Sequence, residues 1–228
     1  GGVGLGKTHL LHAIASAVAE RNLHPLYMTA EGFTNEFIRS IRERRTEEFR
    51  ARYIAPDVLL LDDVQFLAGK EQTQEGFFHI FNDLHNANRQ IVISCDQPPK
   101  HLSPLEDRLR SRFQWGLLAD IQQPDLETRL AILQDKALAQ GVTLDQDVAY
   151  FIASRAQGSI REIEGCLTRV IAMADFTGKP INHELAASAL ADVAQEPEPT
   201  HSLAEDILDR VADHFHITRS ELCARSAD

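Results

Sequence analysis

The chain opens on a glycine-rich loop that constrains its fold more than any other feature of the sequence. Residues 1–8 read GGVGLGKT and fit the pattern G-x-x-x-x-G-K-[ST]. Glycines let successive backbone N–H groups turn inward around an anion, and a helix that follows adds the positive end of its dipole. A helical apolar pattern follows at once, from Leu10 to Val18. The sequence therefore predicts a phosphate-binding loop rather than a chance glycine-rich turn.

Each residue type in this loop has an expected role. Lys7 would reach the β- and γ-phosphates of a nucleotide, and the Thr8 hydroxyl would ligate Mg²⁺. The candidate nucleotide contacts are Gly1, Gly2, Gly4, Gly6, Lys7, Thr8 and His9. A buried strand leads into such loops, so we expect a strand upstream of Gly1, outside the chain as given.

Composition narrows the class of protein. A length of 228 residues with 43% hydrophobic side chains fits one large domain or two smaller ones. The three cysteines are widely spaced and form no C-x-x-C pair, which favours reduced thiols in a cytosol over a zinc or redox site. No apolar run approaches the ~20 residues of a membrane span. With a net charge of −11, any DNA contact must come from local basic patches or from sequence outside this chain.

Short β-branched-rich runs alternate with helical patterns in the first half of the chain. Strands are predicted at residues 25–29, 58–61, 90–94 and 115–118, and helices at 8–21, 33–53, 72–87 and 105–112. This alternation predicts an α/β fold with a parallel sheet sandwiched by helices.

After Pro124 only helical patterns remain. Helices are predicted at 125–139, 145–156, 159–175 and 183–194, with Asp125 as an N-cap and with Ser159 and Glu162 as a capping box. We therefore expect a nucleotide-binding core at 1–124, an all-α lid at 125–194, a linker at 195–202 and the start of another domain at 203–228. The first helix of that last segment is predicted at 203–215.

Acidic residues follow two of the predicted strands. Asp62 would lie at the carboxyl edge of the sheet, where ligands bind in open α/β folds, and would hold Mg²⁺ with Thr8, mainly through water. Asp63 would polarise an attacking water. Acids that merely cap a strand are the alternative, which the upstream glycine loop disfavours. Asp96 could hydrogen-bond the γ-phosphate or the lytic water, but an aspartate that initiates a turn explains it equally well.

Three arginines are candidates for phosphate contacts. Arg108 and Arg112 are four residues apart on one helix face and could reach the phosphates of a neighbouring subunit. From spacing alone, a solvated helix with local ion pairs is the favoured alternative. Arg161 falls in the first turn of a lid helix, where the dipole disfavours a cation, and this suggests a role on a nucleotide phosphate. An ordinary surface arginine remains the alternative.

The predicted helix at 33–53 is rich in both signs of charge. Its arginines at 39, 42, 44, 45, 50 and 52 are interleaved with glutamates at 36, 43, 47 and 48. A solvated helix laced with ion pairs is the default interpretation. A DNA-facing edge is the more specific alternative.

Together these motifs resemble the DnaA family of bacterial chromosomal replication initiators, within the AAA+ ATPases. The similarity covers the whole chain and is carried by the glycine loop and by LDDVQF at 61–66, EDRLRSRFQWGL at 106–117, REIEG at 161–165, FTG at 176–178 and VADHFHI at 211–217. The resemblance implies an ATP/ADP switch with Mg²⁺ and slow hydrolysis. It also implies that Asp96 is the first sensor and Arg161 the second. Arg112 would be an arginine finger acting on the adjacent protomer, with Arg108 as a second residue between protomers.

The resemblance also implies partners. The 33–53 region would be the insertion shared by initiators and helicase loaders, which helps an ATP-bound oligomer hold single-stranded origin DNA. Ile38 and Lys70 match positions implicated there, whereas Gln72 stands where some relatives carry arginine. Residues 203–228 would begin a duplex DNA-binding domain but stop before its helix-turn-helix. Specific duplex binding is not expected from this tail alone.

Further partners expected from the family are the replicative helicase and acidic phospholipids, in the bacterial cytoplasm near the nucleoid. The rival interpretation is a helicase-loader AAA+ ATPase, which lacks a DNA-binding domain after the lid. A plain P-loop enzyme such as a nucleotide kinase is disfavoured by the helical lid with Arg161, and by Asp96 and Arg112.

Overall fold

Three apolar runs of the chain form a parallel sheet. The structure is a computed structural model that describes residues 1–102 and 105–193. The sheet consists of strands β1 (Pro25–Thr29), β2 (Val58–Asp62) and β3 (Gln90–Ile93), in that spatial order. Helices in this part are α1 (Lys7–Glu20), α2 (Ala30–Arg42), α3 (Thr46–Ile54), α4 (Glu71–Asn86) and α5 (Asp107–Gln114). The predicted α/β class with a parallel sheet is confirmed.

The central strand β2 is buried along its whole length because helices cover both faces of the sheet. Side chains alternate along a strand, so Leu59 and Leu61 enter one core with residues of α2 to α5, while Leu60 packs with Leu11 of α1 on the other face. Both acids of the predicted site thus stand at the carboxyl end of a strand fixed by apolar packing on two sides.

The predicted strand at 115–118 is wrong. Trp115 and Gly116 form a bend after α5, residues 117 and 118 are not in a strand, and Leu117 is 97% exposed. The prediction was prompted by aromatic and apolar residues, whose strand propensity reflects how well they pack on a sheet. A segment with this composition forms no strand unless a neighbouring strand pairs with its backbone. In the part of the chain that the structure describes, no strand lies beside these residues.

The single helix predicted at 33–53 is also wrong, because the segment folds as α2 and α3 with a break between them. Arg44 adopts a left-handed backbone with φ of +57°. The Arg45 N–H donates to the Ser40 carbonyl at 2.8 Å and the Arg44 N–H to the Ile41 carbonyl at 3.2 Å, which is a Schellman end. No glycine or proline marks this break in the sequence.

The second part of the chain is helical and has its own apolar core. Helices α6 (Leu126–Ala139), α7 (Gln146–Arg155), α8 (Ile160–Thr177) and α9 (His183–Ala189) pack around side chains that include Leu133, Ile152 and Leu167. The predicted cap at Asp125 is confirmed, since its carboxylate accepts from the Thr128 N–H at 2.8 Å.

Helix α9 ends at Ala189, short of the predicted end at 194. The predicted linker at 195–202 and the helix at 203–215 lie outside the described residues. None of the helices in the described ranges is long and apolar enough to cross a membrane.

Candidate functional site

The glycine-rich loop turns tightly into the start of α1. Gly4 and Gly6 adopt left-handed conformations with φ of +76° and +87°, which side chains other than glycine rarely accept. Gly6 is the N-cap of α1, and its carbonyl accepts from the Leu10 N–H at 2.9 Å. The N-terminal N–H groups of α1 therefore lie at the loop, as anion binding requires. His9 lies in this first turn with an exposed side chain.

The Lys7 ammonium lies over its own loop. Its Nζ donates to the carbonyl oxygens of Gly1 at 3.1 Å and Gly2 at 2.5 Å. Neutral carbonyls are weaker partners for an ammonium than phosphate oxygens, because an anionic oxygen adds the Coulomb attraction of opposite charges. A nucleotide phosphate in the loop would therefore compete well for Lys7.

Asp62 is the acid at the centre of the site and is only 2% exposed. Its Oδ2 accepts hydrogen bonds from the Thr8 hydroxyl at 2.7 Å and the Tyr27 hydroxyl at 3.1 Å, and its Oδ1 accepts from Ser94. Burial by itself would raise the pKa of this carboxyl. The hydrogen bonds from Ser94, Thr8 and Tyr27 outweigh burial and hold the pKa of Asp62 below its ordinary value. The side chain is therefore an ionised acceptor.

The same carboxylate also shifts the pKa of the neighbouring tyrosine. Burial, together with the negative charge of Asp62, raises the pKa of Tyr27 to about 12. Tyr27 therefore remains a hydrogen-bond donor to Asp62 over the whole physiological pH range.

Thr8 and Asp62 form a fitting pair for Mg²⁺. This ion prefers oxygen ligands and is commonly held by one or two carboxylates, with nucleotide phosphates and water completing its shell. An ionised, buried carboxylate beside a hydroxyl of the phosphate loop meets that demand. No group of three or more His, Cys, Asp or Glu that could hold an ion alone occurs within residues 1–102 and 105–193.

Asp63 follows Asp62 in a strained backbone conformation, with φ of 55° and ψ of 52°. A non-glycine residue in this left-handed conformation lowers the stability of the fold by on the order of 1–3 kcal/mol, and such residues cluster at functional sites. The Asp63 N–H donates to the Ser94 hydroxyl at 3.0 Å, and the carboxylate accepts from the Gln65 amide at 3.0 Å. The chain then turns into a short 3₁₀ helix at Val64–Leu67, so the strand ends sharply at the acid pair.

Asp96 lies on the same side of the molecule as the loop. It lines a cavity of about 570 Å³ together with Gly1 and Gly2 of the loop and Gly158 of the lid. The structure thus places Asp96 on a cavity that the first two residues of the loop also line, and its contact with a γ-phosphate or water stays a prediction. No contact joins its carboxylate to Asp62 or Asp63 in the ranges described.

The lid meets the loop through the start of α8. The Ile160 N–H donates to the Gly4 carbonyl at 3.0 Å, and a Cβ on Gly4 would lie 3.0 Å from the Ser159 side chain and 3.5 Å from Cδ of Arg161. Arg161 itself is exposed. The predicted second sensor is therefore placed beside the phosphate loop of the same chain.

The cap of α8 differs slightly from the predicted box. The Ser159 hydroxyl accepts from the Glu162 N–H at 3.3 Å, as predicted. The Glu162 carboxylate, however, accepts from the Gly158 N–H at 2.8 Å, one residue before the partner that a regular capping box uses. The start of α8 is thus fixed by two side chains.

Arg108 and Arg112 are not brought to the chain's own loop by any contact in the described residues. Arg108 donates to Glu106 at 2.5 Å and its guanidinium lies 4.8 Å from the Phe78 ring centroid. Arg112 lies 4.7 Å from the ring centroid of Trp115, which is 71% exposed. Their proposed contact with a neighbouring subunit stays a prediction.

The charged α2–α3 segment is held by ion pairs, which favours the default interpretation of its arginines. The pairs are Arg39–Glu43, Arg45–Glu43, Arg45–Glu48, Arg50–Asp83 and Arg52–Glu36. Apolar residues of α2 nevertheless face outward beside them. Ile38 is 40% exposed and lines a groove of about 510 Å³ together with Lys70 and Gln72.

Sequence reasoning missed Ser94, Tyr27 and Gln65, all of which contact the acid pair. A signal existed for Ser94: it is the polar residue directly after β3, whose Ile93 pairs with Leu61 of β2, so residue 94 adjoins Asp62. The Tyr27 contact runs from the edge strand β1 to the end of β2. Only the strand register could have indicated it.

Comparison with known proteins agrees with this geometry. Residues 1–120 match the bacterial DnaA ATPase domain family. Domain III of the replication initiation protein DnaA from Thermotoga maritima is 41% identical over 85% of this chain and 82% of that chain, with a TM-score of 0.79. AMPPCP-bound DnaA from Aquifex aeolicus is 32% identical over 99% of this chain and 66% of that one, with a TM-score of 0.70. A replication initiator DnaA bound to AMPPCP and single-stranded DNA is 28% identical over 95% and 82%, with a TM-score of 0.67.

The parallel sheet, the phosphate loop, the acids at its edge and the helical lid define a P-loop ATPase of the AAA+ class. Within the AAA+ class, the match to the bacterial DnaA ATPase domain covers more than half of this chain. The similarity to solved DnaA structures extends through the helical lid. The chain belongs to the bacterial DnaA family, and its function is that of a replication initiator.

Proposed function

We propose that this chain is the ATP-operated switch of the initiator. ATP with Mg²⁺ binds between the glycine loop and the start of α8, and slow hydrolysis to ADP resets the switch. The observation that carries the proposal is the hydrogen bond of 2.7 Å between Thr8 in the loop and Asp62 on the sheet. It joins the two halves of a metal–nucleotide site across 54 residues of sequence.

Each residue has a role that its position supports. Lys7 and the N–H groups of the loop bind phosphate oxygens, while Thr8 and Asp62 hold Mg²⁺, which neutralises charge on the phosphates when bound. Asp63 orients and polarises the attacking water. Asp96 acts as a polar contact to the γ-phosphate or that water, and Arg161 adds positive charge from the lid.

A neighbouring protomer completes the site in this account. Arg112 would contact the γ-phosphate of ATP bound by the next subunit, and Arg108 would assist between protomers. Both side chains are on α5 and make their described contacts with Glu106, Phe78 and Trp115 and not with the loop of their own chain, which supports a role in trans. ATP would thus drive the formation of an oligomer, and hydrolysis would dissolve it.

Origin DNA is the proposed partner of that oligomer. A similar initiator has been solved with single-stranded DNA, and the groove of Ile38 and Lys70 offers an apolar edge beside a cation here. Bases can pack on the apolar edge while the ammonium contacts phosphate. Duplex boxes are proposed to bind the DNA-binding domain to which residues 203–228 belong. The replicative helicase, acidic phospholipids and a cytoplasmic location are proposed on family grounds.

Equilibrium binding of labelled ATP tests the proposal directly. The chain is titrated in excess Mg²⁺ and again with EDTA, and hydrolysis is followed in parallel by phosphate release. We expect saturable ATP binding that weakens without the metal, together with slow turnover. Binding that is indifferent to EDTA would contradict the assignment of Thr8 and Asp62.

Replacing Asp63 with asparagine is expected to slow hydrolysis roughly 100-fold or more, since a positioned base contributes about 10²–10⁴. ATP affinity should change little, because the proposed role of Asp63 is on the attacking water and not on the phosphates or the metal. Asn keeps the shape of the side chain but removes the negative oxygen. Single-turnover hydrolysis and equilibrium binding are the measurements, with Asp135→Asn on the exposed surface of α6 as the control. Unchanged turnover in Asp63→Asn would move the role to another acid such as Asp96.

Gln72 offers a gain-of-function test of the DNA groove. Gln72→Arg is expected to tighten binding of single-stranded DNA and to steepen its salt dependence by about one unit, as one added phosphate contact does. Lys70→Ala should weaken binding uniformly across sequences. Gln146→Arg adds the same charge at an exposed position of the lid and serves as the control. Equal gains from Gln72→Arg and Gln146→Arg would show that only net charge matters and that the groove is not the site.

A further inference from the structure

Ser94 is a buried polar residue to which none of the motifs assigns a role. It follows β3 directly and is 7% exposed. Its hydroxyl donates to Oδ1 of Asp62 and accepts from the Asp63 N–H at 3.0 Å. A serine hydroxyl has one donor and can accept as well, and both capacities are used here on two consecutive acids.

The backbone of Ser94 adds to the same connection. Its N–H donates to the Leu61 carbonyl at 2.9 Å, and its carbonyl accepts from the Val64 N–H at 3.0 Å. Ser94 therefore contacts each of the four consecutive residues from Leu61 to Val64. Within this stretch Asp63 has the left-handed backbone that ends β2.

The two oxygens of Asp62 are held differently. Oδ2 is shared by Thr8 and Tyr27, whereas Ser94 is the side-chain donor to Oδ1. Without the Ser94 hydroxyl, the carboxylate would lose its side-chain donor at Oδ1 and could rotate about the contacts at Oδ2. The N–H of Asp63 would at the same time lose the Ser94 hydroxyl as an acceptor.

We propose that Ser94 is a positioning residue that sets both the metal-holding carboxylate of Asp62 and the strained turn at Asp63. By fixing the Asp62 carboxylate, Ser94 governs how tightly Mg²⁺ is held with the bound nucleotide. By fixing the turn, it governs the position of the water-activating carboxylate of Asp63. This inference rests on the proposed function of the same site. In this role, the single hydroxyl of Ser94 couples metal binding to hydrolysis.

The role predicts a specific pattern of losses. The glycine loop and Lys7 bind phosphate without help from Ser94, so ATP affinity measured in EDTA should be unchanged in Ser94→Ala. The Mg²⁺ concentration for half-maximal hydrolysis should rise about tenfold or more, as the loss of a hydrogen bond to a charged group implies. The turnover rate at saturating Mg²⁺ should also fall, because Asp63 is displaced.

The experiment compares three variants with the wild-type chain. Ser94→Thr keeps the hydroxyl and should recover most of the metal affinity and of the turnover rate. Ser40→Ala is the matched control, since Ser40 is also 7% exposed and its hydroxyl donates to the Phe37 carbonyl at 2.7 Å, away from the acid pair. Each protein is assayed for ATP binding in EDTA, for the Mg²⁺ dependence of hydrolysis and for thermal unfolding. Ser40→Ala should shift only the melting temperature.

The outcomes separate this inference from the function on which it rests. If wild-type protein shows Mg²⁺-dependent hydrolysis and Ser94→Ala behaves like Ser40→Ala, the role of Ser94 is overturned while the function stands. If wild-type protein needs no Mg²⁺ at all, both fail. Should Ser94→Ala not fold, Ser94→Cys carries the same test, since a thiol is close in shape but a weak donor. A Mg²⁺ requirement raised in Ser94→Cys and restored in Ser94→Thr would support the assignment.

Discussion

Replacing Lys7 with alanine is expected to lower the affinity for ATP by roughly 100-fold or more. Lys7 is the cation of the loop, and in this structure it lies against the carbonyls of Gly1 and Gly2. Hydrogen bonds to charged groups contribute about 1.5–3 kcal/mol each, so losing contacts to two phosphates costs roughly 3–6 kcal/mol, and a 100-fold loss of affinity corresponds to about 2.7 kcal/mol. Equilibrium titration with labelled ATP measures the effect.

A matched lysine distinguishes this effect from a general change of charge. Lys179 is exposed in the lid, and Lys179→Ala changes the net charge by the same amount. We expect this control to bind ATP as the wild-type chain does. An affinity in Lys7→Ala equal to that of Lys179→Ala would mean that the phosphates do not occupy the glycine loop.

Replacing Arg112 with alanine should block ATP-dependent assembly while leaving ATP binding by the monomer within about twofold of the wild type. The arginine lies on α5 against Trp115, and no described contact joins it to its own loop. A finger that acts on the neighbour's γ-phosphate stabilises charge only across an interface. Light scattering or sedimentation with ATP and with ADP measures the assembly.

Arg110 supplies the control for this second prediction. It is on the same helix but pairs with Asp107 one turn earlier. Arg110→Ala should assemble with ATP as the wild type does. If Arg112→Ala loses ATP affinity as a monomer, the residue acts on its own site and the trans assignment is wrong.

The parts of the fold that sequence predicted well are those fixed by local apolar patterns. Strand β2 begins with the apolar run Val58-Leu59-Leu60-Leu61, and such a run between turn signals fits a strand buried on both faces. The acids that follow it are placed at the sheet edge by the same pattern. The loop and the start of α1 were predictable because glycine, lysine and threonine each have a stereochemical role there.

The predictions that failed depended on contacts made at a distance. The break between α2 and α3 has no local marker, but it lets Phe33 pack on Phe49 at 5.4 Å and on Tyr53 at 5.2 Å between ring centroids. Aromatic pairs of this kind stabilise a core beyond simple burial. A continuous helix would carry Phe49 and Tyr53 away from Phe33, so tertiary packing overrides the helical pattern.

The candidate site shows the same division. Motifs identified Thr8, Asp62 and Asp63, whose residue types are dictated by phosphate and metal chemistry. They did not identify Ser94, because serine after a strand is common and its importance here comes from the register that sets it beside Asp62. Residues that position a site are visible only once the neighbouring strand is placed.

A crystal structure of the chain with AMPPCP and Mg²⁺ would show whether this is the nucleotide site. We expect the phosphates within the glycine loop, the metal beside Thr8 and Asp62, and Lys7 turned from the carbonyls of Gly1 and Gly2 toward the phosphates. Arg161 should approach the nucleotide from the start of α8. A nucleotide bound elsewhere, with Lys7 still on those carbonyls and no metal at Asp62, would contradict the account.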